Sequence, residues 1–92
     1  MQYACVFDVD GGYRFARIAY EVYRGPYGRA LVVEYFDMPE NLDEEDIDPT
    51  MIDCVPVSEN PGIIYVDSFE ALCRLAPKAP IIARLNWGKN AS

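Results

Sequence analysis

The chain has 92 residues, 51% of them hydrophobic and 13% aromatic, and a net charge of −7. That is enough apolar material for one core without staples, and too little chain for a second. The absence of histidine and of any C-x-x-C pair among Cys5, Cys54 and Cys73 argues against zinc sites, thioredoxin-like sites and His-assisted nucleophiles.

Charge is divided along the chain. Between Arg29 and Arg74 there is no lysine or arginine, but there are twelve acids. The flanking segments hold all eight bases and only Asp8, Asp10 and Glu21, so a block of −12 sits beside flanks of +5. Such a surface repels nucleic acid and anionic membrane and attracts basic proteins. No apolar run reaches membrane-spanning length and no secretion signal is evident, so a cytoplasmic location is expected. The odd cysteine count fits a reducing compartment.

Residues 2–9 read as an interior strand, because Tyr3, Cys5, Phe7 and Val9 alternate while Ala4 and Val6 keep the other face apolar. Asp10-Gly11-Gly12 breaks it. Residues 13–24 fit two periods. As a helix, Phe15, Ile18, Ala19 and Val22 form a stripe, Asp10 caps the start and Gly25-Pro26 ends it. As a strand, Ala16, Ile18, Tyr20 and Val22 alternate between turns. Charge segregation favours the helix, and that is the expectation adopted.

Residues 29–37 are β-branched and aromatic and predict a strand. Residues 38–52 predict a long acidic connection anchored by Leu42, Ile47, Met51 and Ile52. Residues 53–57 and 63–66 predict two short strands around a turn at 58–62, with Pro56 placing the first at an edge or bulge. A helix is predicted over 68–76, with Asp67 and Glu70 as a capping box and Pro77 as its stop. Residues 80–87 predict a last strand, followed by a polar tail at 88–92.

The expected fold is α+β over residues 1–87. It is a small mixed or antiparallel sheet with two helices on one face, in β-α-β-β-β-α-β order, close to a split β-α-β layout. The alternative is an N-terminal three-stranded meander with a single C-terminal helix.

Three constellations carry chemical options. Asp8 and Asp10 lie two apart at a strand end, where paired carboxylates can share Mg²⁺. Val6-Phe7-Asp8-Val9-Asp10-Gly11 resembles the first motif of the haloacid-dehalogenase-like phosphohydrolases. That resemblance implies Asp8 as nucleophile and Asp10 as general acid of a Mg-dependent phosphoryl transfer. It covers about six residues, departs from the family at Gly12, and is not followed by the family's later lysine and acid pair. The same residues resemble the first acid motif of cyclase and polymerase palm domains, which need further acids such as Asp53 or Glu59 in register. The plain reading is that Asp8 ends a strand and Asp10 belongs to a turn.

The second constellation is the acidic run Glu40, Asp43, Glu44, Glu45, Asp46 and Asp48, extended to Asp53, with Leu42 and Ile47 as apolar anchors. Spaced carboxylates on a loop can stand in for phosphates and fill the nucleic-acid cleft of another protein. The third is the group Tyr13, Tyr20, Tyr23 and Tyr27 with Arg14, Arg17, Arg24 and Arg29. It could serve an interface or pair internally with the acids.

The expectation is a non-enzymatic protein that uses no cofactor and binds a basic surface on a partner, such as a nucleic-acid-binding protein, and blocks it. In size, charge and lack of catalytic motifs it is similar to immunity proteins and phage anti-defence (anti-CRISPR) inhibitors, some of them nucleic-acid mimics. Direct nucleic-acid and membrane binding are not expected. The chain is expected to be a monomer or a homodimer, and a structural subunit assembled through a strand edge is a further option.

Overall fold

The computed structural model describes residues 2–8, 10–23, 26, 28–56 and 62–90, the last five as backbone. Five strands form one sheet: β1 (Tyr3–Phe7), β2 (Tyr13–Tyr23), β3 (Arg29–Phe36), β4 (Pro49–Pro56) and β5 (Ile63–Val66). Their spatial order is β4-β3-β2-β1-β5, and every neighbouring pair is antiparallel. The chain then turns helical, through α1 (Phe69–Leu75), a 3-10 turn (Ala76–Lys78) and α2 (Ala79–Asn90). The class is α+β. No helix among the described residues is long and apolar enough to cross a membrane.

β1 is interior, as its two-sided apolar pattern requires, and all five of its residues are buried. Tyr3, Cys5 and Phe7 point to the face covered by helix. There Cys5 and Phe7 meet Ala79 and Ala83, while Tyr3 packs with Phe36 and Leu72. Leu72 is fully buried, which is worth about 1.5–3 kcal/mol for a side chain of its size. The opposite face is a second cluster drawn from all five strands: Val6, Ala16, Leu31, Val33, Tyr35 and Val55, with Ile18 and Ile63 against it.

Several expectations are corrected. Residues 13–23 are strand, not helix, so the split β-α-β order gives way to a meander of β1, β2 and β3. Phe15 is needed on the helix-covered face and Ala16 on the other, and only an extended chain serves both. A bulge between Ile18 and Tyr20 then shifts the alternation by one residue. Residues 80–87 are helix, not strand. Proline is tolerated in the first turn of a helix, so Pro77 and Pro80 carry the chain on instead of stopping it. The residues from 88 to Asn90, expected as a polar tail, continue that helix.

β4 and β5 do not form the expected hairpin; they occupy opposite edges of the sheet. β4 begins at Pro49, earlier than expected, and is an edge strand as Pro56 implied. The cap of α1 is Ser68, not Asp67: its hydroxyl accepts from the Ala71 N–H at 3.1 Å. The expected turn at 58–62 lies, up to residue 61, outside the described residues.

Candidate partner-binding surface

The acidic connection is built from β3 outward. After Phe36 the chain turns at Glu40 and Asn41, where Asn41 takes a φ of 64°, a left-handed conformation that asparagine tolerates. Leu42 and Ile47 then fold back onto the Tyr3–Phe36–Leu72 cluster. Between them Glu44–Asp46 makes one 3-10 turn, closed by the Asp46 N–H donating to the Asp43 carbonyl at 2.9 Å. The Tyr3 hydroxyl donates to Glu44 Oε1 at 2.7 Å. Burial, reinforced by this bond to a carboxylate, pushes the Tyr3 phenol up to about 12. The segment is thus held over the helix-covered face by two apolar side chains and one charge-assisted hydrogen bond.

Glu40, Asp43, Glu44, Glu45, Asp46 and Asp48 are all exposed. Among the described residues the ion pairs are Arg17–Glu34 at 2.6 Å, Arg29–Glu21 at 2.6 Å and Arg74–Glu70 at 3.9 Å. None of them neutralises an acid of the run. Leu42 and Ile47 are partly buried inside the protein, so their apolar surface moors the loop and is not offered outward. Asp53 does not join the run: it lies on β4 and faces the other side of the sheet. There it accepts from the Tyr35 hydroxyl at 3.4 Å and from the Cys54 N–H at 2.8 Å. Tyr35 is raised above the ordinary phenol value, first by burial and then by Asp53.

Asp8 and Asp10 are both exposed in the hairpin loop between β1 and β2. The Asp8 N–H donates to the Gly12 carbonyl at 2.9 Å, and the Gly11 N–H donates to the Asp8 carbonyl at 3.0 Å. Gly11 has a φ of 83°, which only glycine adopts freely. Among the described residues no group of three or more histidine, cysteine or acidic side chains converges as a metal site would need.

The tyrosine–arginine group is dispersed. Tyr13 stacks in the core between Phe7 and Phe15, at centroid distances of 6.2 and 5.6 Å. The Arg14 guanidinium lies 5.3 Å from the Tyr35 ring centroid on the opposite face. Arg17 and Arg29 are engaged in ion pairs, whereas Tyr20 and Tyr23 are open to solvent. Arg24, Tyr27 and Glu59 lie outside the described residues, as does the Trp87 side chain.

Two features were not anticipated. One is the Tyr3–Glu44 clamp, which joins residues 41 apart and leaves no local pattern. The other is the exposure of β4, where Met51 and Ile52 are 43% and 67% exposed. Their adjacency in a strand, which sends one to each face, was the available signal. Comparison with protein-family models, with curated proteins and with solved structures finds no match to this chain.

Proposed function

We propose that this protein binds a basic surface on another protein through the 43–48 segment and blocks that surface. One observation carries the reading: Asp43, Glu44, Glu45, Asp46 and Asp48 are exposed, tethered, and without an ion-pair partner among the described residues. Two like charges about 7 Å apart in water cost about 0.6 kcal/mol, so a run of five works against folding. Contact with lysines or arginines would remove that cost and release it as binding energy. The tether reduces the ordering entropy a floppy acidic loop would lose on docking.

The test is affinity capture from the cell that makes the protein, at low and high salt, followed by titration of the captured partner. The wild type is compared with a variant carrying Asp→Asn or Glu→Gln at all five positions. The expected partner is basic, its affinity falls steeply with salt, and the variant loses orders of magnitude in affinity together with the salt dependence. Unchanged affinity in the five-amide variant refutes the proposal.

A further inference from the structure

Among the described residues no strand pairs with the outer edge of β4. The Cys54 N–H donates to Asp53 Oδ1, so it points away from β3. Alternation along the strand then turns the N–H and C=O of Ile52 and the C=O of Cys54 outward, while Met51, Asp53 and Val55 pair with Tyr35, Val33 and Leu31; at Thr50 a bulge interrupts the register. The next outward position is Pro56, which has no N–H. The usable edge is therefore the Ile52 N–H and C=O together with the Cys54 C=O, the Cys54 N–H being held by Asp53. Ile52 projects from one face beside it and Met51 from the other, both exposed.

A second copy of this chain is a poor occupant, because it would bring another −7 and another acidic run to the same edge. The acids of the 43–48 segment lead directly into β4, and Asp53 stands within it. The complementary occupant is positively charged and extended. We propose that the β4 edge accepts, as a sixth strand, an extended lysine- or arginine-rich segment of the partner protein. Main-chain pairing with Ile52 and with the Cys54 carbonyl would supply affinity, alternate apolar residues would cover Ile52, and basic residues would meet the acids. This rests on the reading above that the partner is basic, and adds how the partner is held.

The probe is a blocked synthetic peptide of alternating lysine and valine, together with a twin methylated on alternate main-chain nitrogens. The twin keeps the charge and side chains but loses the N–H row of one edge. Binding is measured at low salt by calorimetry, with hydrogen exchange followed at Ile52. The expected result is that the parent peptide binds and slows exchange at the Ile52 amide. The twin binds about tenfold more weakly or worse, and so does Ile52→Pro, provided circular dichroism shows it folded. The twin needs no mutation, so the test stands even where Ile52→Pro fails to fold.

Equal binding of parent and twin, abolished by the five-amide variant, overturns the edge mode and leaves the charge reading standing. Absence of binding by either peptide overturns the edge mode. If capture from the lysate also fails, the charge reading falls with it. Concentration-dependent dimerisation that disappears in Ile52→Pro, without peptide affinity, assigns the edge to a second copy and overturns the proposal.

Discussion

Replacing Tyr3 by Phe removes one oxygen from the point where the acidic segment is fastened to the sheet. The ring stays in contact with Phe36 and Phe69, at centroid distances of 6.4 and 5.7 Å, so packing is conserved and only the bond to Glu44 is lost. Hydrogen bonds to charged groups contribute about 1.5–3 kcal/mol, but Glu44 is exposed and regains water, so about 1 kcal/mol is expected. For a domain of this size that lowers Tm by about 4–8 °C at neutral pH.

The pH dependence gives an independent reading of the same variant. The Tyr3 phenol is raised from 10.0 to about 12 in the folded protein. Its contribution is fully present below pH 10 and is lost as pH rises through 12, because the unfolded chain ionises first. The displacement sets an upper bound of about 3 kcal/mol on that loss. Screening at the exposed Glu44 end brings it to about 1–2 kcal/mol. Urea melts of wild type and Tyr3→Phe between pH 7 and pH 11.5 (roughly the range within which most of the loss falls) cancel every other tyrosine in the difference. The wild type is expected to lose its advantage as pH rises. Equal stability at pH 7 together with parallel pH profiles would refute the clamp.

Further expectations concern the frame around the surface. Ala83 lies 1% exposed against Cys5 and Phe7, so Ala83→Leu overpacks the helix–sheet contact and should cost about 1–3 kcal/mol in denaturant melts. Ser68→Ala removes the cap of α1 and should cost about 0.5–2 kcal/mol, with Ser68→Gly milder. Burial pushes the Cys5 thiol up to about 12 while Cys73 is exposed, so an alkylating reagent should modify Cys73 readily in the folded protein. Cys5 should react only on global unfolding, and early labelling of Cys5 by mass spectrometry would contradict its placement in the core.

What the sequence made legible follows the range of the forces involved. β1, β3 and β5 declare themselves by local composition, and the structure has them close to where composition put them. β2 does not, because its bulge changes the alternation midway: Ala16 and Ile18 serve one face, then Tyr20 and Val22 the other. The resulting spacing of Phe15, Ile18 and Val22 imitates a helical stripe. α2 was obscured by Pro80 and by Ile81-Ile82, whose β-branching suggests strand. The small pair Ala79 and Ala83, which lets the helix settle on Cys5 and Phe7, was the contrary signal. In the candidate surface the exposed acids were visible as charge density. The inward turn of Leu42 and Ile47 and the placement of Asp53 on the other face depend on long-range contacts that no local spacing encodes.

The pairing of β5 with β1 has a bearing on biosynthesis. Tyr3 finds its outer ladder partner at Val66, with most of the chain between them. During translation, the meander of β1, β2 and β3 can assemble while one side of β1 still lacks its neighbour. A nascent intermediate would therefore display a buried, fully apolar strand as a bare edge until β5 arrives, and this distant pairing should make sheet closure the slow step. Chaperone dependence of expression, if observed, would have its physical origin in that delay.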